Sequence, residues 1–223
     1  MERTVFILGA SRGIGIGLVI RFLERGWTVV ASERSRSDEL HHVGHDQLQI
    51  VTCDVTDADS IAALELDDNS LDALVVNAGI MGAEHQDAAK ASRDDIATVM
   101  ETNAFGPVRS ARALLPAMKD GGTVAFMSSL MGSIADSSGG YDLYRTSKAS
   151  LNMLAKGFAE QHANGRGIAT LSLHPGWVRT DMGGPNAKLT VEESTNGLAN
   201  VVEGAGGKGG FRYVDYKGDD IPF

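Results

Sequence analysis

Cysteine is nearly absent: Cys53 stands alone among 223 residues. No intrachain disulfide can form, which suits a reducing compartment. Cys53 lies in the apolar run LQIVTCDV, and free cysteine is among the most buried residue types, so it reads as core packing. Dense basic runs are also missing. Lysine and arginine number 20 against 29 acidic residues, a formal charge of −9, so neither nucleic acid nor an anionic membrane is an expected partner. No apolar run approaches 18 residues, so no membrane span is expected. The chain opens directly into strand-like TVFIL without a signal-peptide pattern, and the expected compartment is the cytoplasm.

Glycine, in contrast, is abundant: 27 of 223 residues, about 12% against a usual ~7%. It clusters at 9–17, 121–140, 165–184 and 204–210 and marks particular turns. Between these clusters, short apolar runs recur: TVFIL (4–8), TVVAS (28–32), LQIVTC (48–53), LDALVVN (71–77), TVAFMS (123–128), IATLSL (168–173) and FRYV (211–214). Most are continuous rather than alternating, as strands covered on both faces should be. Helical patterns separate them at 14–25, about 93–118, about 142–162 and about 191–202, the last opened by Thr190 and Glu193 in capping-box spacing. This alternation predicts an α/β fold: one Rossmann-type, doubly wound parallel sheet of about seven strands with helices on both faces. No linker divides the chain, so a single domain is expected, with a cofactor-binding part over about 1–125 and a catalytic and substrate part over about 126–223. The polar stretch 32–47 reads as a loop with a short helix. Its histidines, His41, His42 and His45, are loosely spaced and read as surface residues, and no metal is expected.

The first strand runs into GASRGIG (9–15) and then into a helix. Gly9 can make the tight turn, while Gly13 and Gly15 let backbone approach a bound pyrophosphate. A helix N-terminus near Ile14 offers N–H groups and a positive dipole end. In an open parallel sheet, ligands lie beyond the carboxyl ends of the strands. Those ends carry Glu33–Arg34, Asp54–Val55, Asn77–Ala78–Gly79, Ser128–Ser129 and HPGWVRT (174–180), so polar or small residues converge on one crevice. On the helix after the fifth strand, Tyr144 and Lys148 are i, i+4 neighbours. A nearby ammonium, helped by an oxidised nicotinamide, favours the phenolate and lowers the tyrosine pKa. Such a tyrosine can exchange a proton with an alcohol oxygen, and Ser129 can hydrogen-bond the same oxygen.

The ordered motifs GASRGIG, CDV (53–55), NAG (77–79), TNAFGP (102–107), MSSLMGS (127–133), YRTSK (144–148) and HPGWVRTDM (174–182) resemble the short-chain dehydrogenase/reductase family along nearly the whole chain. The likeness is greatest to the small carbonyl-reductase branch that includes the sniffer and C-signal proteins. By that resemblance Asn103, Ser129, Tyr144 and Lys148 match the family's catalytic tetrad, with Asn103 shaping the mid-helix and holding a water linked to Lys148. Gly9, Ser11, Arg12, Gly13, Ile14 and Gly15 would hold the cofactor, with Asp54 and Val55 at the adenine. Asn77, Ala78 and Gly79 would lie beside it, Asn77 bracing the central strand. Tyr144 and Lys148 would touch the nicotinamide ribose, and Pro175, Gly176, Val178 and Thr180 would close over the carboxamide. The chain departs from the family in three places. Leu8 replaces the usual threonine, 15 positions separate Ser129 from Tyr144, and the short C-terminus implies a small lid.

The cofactor signals oppose one another. Glu33, 18 residues after Gly15, can accept from both adenosine ribose hydroxyls, which favours NAD(H) and repels a 2′-phosphate. Arg34 stands where NADP-dependent relatives commonly bind that phosphate, and Arg12 could assist, although Arg34 can instead stack on the adenine. The expected order is NAD(H) slightly ahead of NADP(H), with both accepted. Met81, Met131, Tyr141, Trp177 and Met182 suggest an apolar, adaptable substrate pocket. The sequence thus points to an oxidoreductase that moves a hydride between NAD(P)(H) and a small-molecule carbonyl or secondary alcohol. The alternative is a dinucleotide-binding regulatory protein with weak or no turnover. The resemblance also implies a homodimer or homotetramer through the helices at 93–118 and 142–162.

Overall fold

The structure is a computed structural model that describes residues 3–223. Its strands are β1 (Thr4–Leu8), β2 (Thr28–Glu33), β3 (Leu48–Thr52), β4 (Leu71–Val76), β5 (Met118–Met127), β6 (Ala169–His174) and β7 (Phe211–Asp215). They form one seven-stranded sheet in the order β3-β2-β1-β4-β5-β6-β7. All six pairings are parallel. The strand order reverses between β1 and β4, where a crevice must open beyond the strand ends.

The continuous apolar runs follow from burial on both faces. In β1, Val5 and Ile7 pack with Leu18, Phe22, Leu198 and Val202 of helices α1 (Gly13–Glu24) and α7 (Val191–Ala205). Phe6 and Leu8 belong to the opposite layer, with Ala111 of α5 (Gly106–Ala113) and Leu151, Ala155 and Phe158 of α6 (Asp142–Phe158). Cys53 is buried in this second layer, where burial pushes its thiol up to about 11.

Local signals explain most boundaries. Thr190 and Glu193 form the expected capping box at α7, and Ser92 and Asp95 form another at α4 (Arg93–Met100). Two short helices are α2 (Asp38–His41), inside the polar 32–47 stretch, and α3 (Ala58–Ala62), capped by the Asp57 side chain. The periodicity had implied one continuous helix over 93–118, but the chain is divided there. A π turn (Glu101–Phe105) follows α4, then α5, then a 3-10 turn (Leu115–Ala117). The physical cause lies inside the fold: Asn103 is fully buried and fastened to Ile80 on another segment. A π turn adds a residue to the helical path, often at functional sites. The fifth strand begins earlier than TVAFMS suggests, because Met118 pairs with Leu71 before an irregularity resets the register. No helix among the described residues is long and apolar enough to cross a membrane.

The α6 stripe should dominate stability. Phe158 is 2% exposed and meets Phe126 edge-on, with ring centroids 5.8 Å apart. Phe158→Ala should lower unfolding free energy by roughly 3–5 kcal/mol, measured by chemical denaturation. A loss under about 1 kcal/mol would mean that this contact is not part of the core.

Candidate functional site

The turn after β1 is shaped by close backbone contact. Gly9 has φ +90°, and a Cβ there would come within 2.7 Å of the Ala78 backbone. A Cβ on Gly15 would lie 2.2 Å from the Gly9 carbonyl oxygen. Both positions therefore need glycine. Asn77 Nδ2 donates to the Gly9 carbonyl at 2.7 Å, and Gly9 N donates to Ser32 Oγ at 2.9 Å. The Asn77 side chain thus fastens β4 to the glycine loop. No side chain caps the first turn of α1, so the loop that carries Ser11, Arg12, Gly13 and Ile14 keeps the amide-lined end suited to a pyrophosphate. The 174–180 segment faces it: Thr180 would touch a Cβ placed on Gly13, and Arg12 lies 3.4 Å from Asp181. Pro175 is held through its carbonyl by Ser194 Oγ at 2.7 Å, Gly176 adopts φ +81°, and Val178 is buried.

Ser129, Tyr144 and Lys148 come together at the end of β5, and all three are buried. Ser129 starts a 3-10 turn (Leu130–Gly132), and its hydroxyl accepts from Met131 N at 3.2 Å. The same hydroxyl is close enough to the Tyr144 phenol to favour its ionised form. Lys148 Nζ lies 5.5 Å from the Tyr144 ring centre and donates to the Met127 carbonyl at 2.8 Å. An ammonium has three donors. No other partner for it exists among the described residues, so it can still bind the hydroxyls of a ribose. The expectation that Lys148 lowers the tyrosine pKa does not hold in the protein alone. Burial pushes the phenol up to about 12, and the nearby Ser129 hydroxyl opposes this only in part. Burial also brings Lys148 down to about 8. At neutral pH the pair is a protonated phenol above a desolvated ammonium, which suits proton donation.

Asn103 belongs to the same cluster. Its Oδ1 accepts from Ile80 N, and its Nδ2 donates to the Ile80 carbonyl, each at 2.8 Å, and to Ser147 Oγ at 3.0 Å. Gly79 fits between Asn103 and Lys148: a Cβ there would lie 3.3 Å from Lys148 Nζ and 3.4 Å from Asn103 Oδ1. Asp54 Oδ1 accepts from both the amide and the hydroxyl of Thr56, which sets the turn after β3, and Val55 is buried. Of the apolar candidates, Met81 and Met131 are half-buried, while Tyr141, Trp177 and Met182 are about half exposed. A hollow of about 180 Å³ is lined by Arg3, Trp27, Asp72 and Lys119, none of them a candidate pocket residue.

Gln86 and Tyr213 escaped the sequence reading. Helix α6 starts at Tyr141 in a left-handed conformation without a side-chain cap. Gln86 supplies the cap: its Oε1 accepts from Tyr144 N at 3.0 Å, and its carbonyl accepts from Asp142 N at 2.9 Å. Its Nε2 donates to the carbonyls of Met81 and Ala83. The Tyr213 hydroxyl donates to the Ser129 carbonyl. Neither residue lies in a motif, and the Gln86 contact spans 58 positions, so no local signal could have found it.

Glu33 has a further engagement that the residues alone did not suggest. It does not face solvent, and each of its carboxylate oxygens already has a donor within the protein. Ser37 N donates to Oε2 at 2.6 Å, and His41 Nε2 lies 2.9 Å from Oε1. His41 is accordingly half-buried and partnered, unlike the surface histidine expected, while His42 and His45 are exposed. Arg34 is exposed, with no partner among the described residues. No group of three or more His, Cys, Asp or Glu among these residues is placed to hold a metal ion.

A doubly wound sheet, a glycine loop at its switch point and a buried Ser-Tyr-Lys cluster define a nicotinamide-dependent oxidoreductase. The chain matches the short chain dehydrogenase family over residues 3–189 and belongs to that family. It is similar to C-signal of Myxococcus xanthus, 39% identical over 158 residues that cover 69% of this chain and 93% of that protein. A carbonyl reductase from Pseudomonas aeruginosa in complex with NADP superposes with a TM-score of 0.92 at 42% identity over the whole of both chains. The carbonyl reductase Sniffer of D. melanogaster does so with a TM-score of 0.91 at 28% identity, again over the whole of both.

Two outcomes are expected from this geometry. Gln86→Leu leaves the buried Tyr144 amide unpaired and should cost about 1–3 kcal/mol of stability, read from urea denaturation; an unchanged midpoint would remove Gln86 as the helix cap. Lys148→Met should raise the thermal midpoint of the cofactor-free protein at pH 7, by roughly 1–4 kcal/mol in stability, because it removes a desolvated charge. Wild-type Lys148 binds its proton less well when folded, about 8 against 10.5. The unfolded chain therefore holds the extra proton between those values, and wild-type stability rises with pH across that window. The advantage of the methionine variant should shrink from pH 8 to 10.5. A constant gap across that range would contradict the assignment.

Proposed function

We propose that the protein reduces apolar carbonyl compounds with NADPH, using Tyr144 as the proton donor. The observation that carries this reading is the buried, protonated Tyr144 phenol, with the Ser129 hydroxyl near it and Lys148 5.5 Å from its ring centre. The nicotinamide, when bound, supplies the hydride. Tyr144 gives its proton to the carbonyl oxygen as negative charge develops there. Ser129 donates a hydrogen bond to the same oxygen and stabilises that charge. Lys148 holds the ribose hydroxyls beside the phenol. Asn103 keeps the main chain at Ile80 and the π turn in place behind the ammonium.

The adenosine end falls to the glycine loop, Asp54 and Val55, mostly within residues 1–125, and the chemistry mostly to residues 126–223. The choice of NADPH reverses the sequence expectation. It is supported by the engaged Glu33 carboxylate, by Arg34, which has no partner among the described residues, and by the similar carbonyl reductase solved in complex with NADP. Met81, Met131, Tyr141, Trp177 and Met182 favour planar or aromatic carbonyls over small charged hydroxy acids. Ile96, Phe105 and Met153 leave large apolar surface exposed on the helices between 93 and 158, which supports a homo-oligomer through that face.

Absorbance at 340 nm with ketones, aldehydes and quinones tests the reading. Tyr144→Phe should reduce turnover by roughly 10²–10⁴ and leave the Kd for NADPH nearly unchanged. Near-full turnover in that variant would exclude the assigned chemistry. NADPH binding without turnover of any carbonyl would favour the dinucleotide-binding regulatory reading instead.

A further inference from the structure

The segment after β2 holds an interaction that the proposed chemistry does not use. Glu33 is 6% exposed, and each carboxylate oxygen has a donor, Ser37 N on one and the His41 ring on the other. The far ring nitrogen, Nδ1, lies 3.4 Å from Arg36 Nη1. A guanidinium can only donate, so Nδ1 accepts from Arg36 and Nε2 carries the hydrogen given to Glu33. Burial by itself would raise the Glu33 pKa, but the bonds from His41 and Ser37, with the Arg36 charge nearby, outweigh it and hold it below the ordinary value. Glu33 is therefore an ionised carboxylate whose charge is met from within the protein.

The support for His41 is built onto the glycine loop. Ser37 Oγ accepts from Leu40 N at 3.2 Å and donates to the Ser11 carbonyl at 2.6 Å. Leu40, next to His41, is fully buried and anchors α2. The ring is thus delivered to Glu33 by a helix fixed at both ends.

We propose that His41 is a specificity-determining residue, which clasps the Glu33 carboxylate against α2 and so turns away the group that would select NAD(H) and repel a 2′-phosphate. Arg34, on the next residue and without a partner among the described residues, is then left to set the preference. This inference rests on the NADPH reading above and adds its cause. If His41 is removed, the carboxylate keeps only the Ser37 amide and can rotate toward the ribose, where it accepts from the hydroxyls of NAD and opposes the phosphate of NADP.

The test is calorimetric titration of wild type, His41→Leu, Glu33→Gln and the double variant with NADP⁺ and with NAD⁺, which requires no turnover. Wild type should bind NADP⁺ more tightly. His41→Leu should shift the ratio of the two Kd values toward NAD⁺ by roughly tenfold, about 1.4 kcal/mol. The double variant should return the ratio to within about threefold of wild type, because there is no longer a carboxylate to release. An unchanged ratio in His41→Leu overturns the inference. So does an equal shift in the single and double variants, since that would be a structural effect independent of Glu33. If His41→Leu does not fold, two measurements decide. His41→Gln, whose amide can still donate to Glu33, should keep the wild-type ratio, and Glu33→Gln alone should change it by less than about threefold. A tenfold rise toward NADP⁺ in Glu33→Gln would show the carboxylate already facing the phosphate and would overturn the clasp. Tighter wild-type binding of NAD⁺ would overturn the NADPH reading itself, while an unshifted ratio in His41→Leu with NADP⁺ preferred in wild type would overturn the clasp alone.

Discussion

An ammonium group taken out of water is the constraint around which this molecule is arranged. Lys148 is 3% exposed and has one acceptor among the described residues, the Met127 carbonyl at the end of β5. Its desolvation is unfavourable in the protein alone, and the surrounding parts are spaced to hold it. Gly132 is needed because a Cβ there would come within 2.9 Å of the Lys148 carbonyl carbon. Gly79 leaves room for the amine, and Asn103 fixes the main chain on the far side of it. The π turn between α4 and α5 puts Asn103 there. Packing, helix irregularity and unused hydrogen-bonding capacity all converge on one nitrogen atom.

The second theme is support from a distance. The phenol, hydroxyl and ammonium are each positioned by groups outside their own segment. Gln86 caps the helix that carries Tyr144, Tyr213 holds the backbone of Ser129, and Asn77 ties β4 to the glycine loop. These are bonds from side chains to main-chain atoms, so they hold backbone position as well as side-chain position. An active site built this way loses geometry when a residue far from the chemistry changes, and small displacements there are expensive in rate.

Charge is managed by the same means at the other end of the crevice. Glu33, Ser37, His41 and Arg36 form a chain in which a carboxylate is satisfied by its own polypeptide. A carboxylate at the end of a second strand has one meaning when it faces a ribose and another when it faces a histidine. Only its rotamer distinguishes the two.

Much of this protein was legible from residues alone, where the controlling physics is local. Continuous apolar runs imply strands covered on both faces, and their alternation with helical periods implies a parallel sheet. GASRGIG between a strand and a helix marks the loop, because only glycine tolerates the contacts made at Gly9 and Gly15. Tyr144 and Lys148 share a helix face by the period of the helix. What the sequence could not decide were the contacts closed by the fold over long separations: the π turn at Asn103, the cap given by Gln86, the strand start at Met118 and the direction of the Glu33 carboxylate. The tyrosine pKa belongs with these, since burial raised it although its lysine neighbour was correctly placed. In each case, local pattern fixes which groups are available, but burial and the partner across the fold fix what state each group is in, and those exist only once the chain has packed.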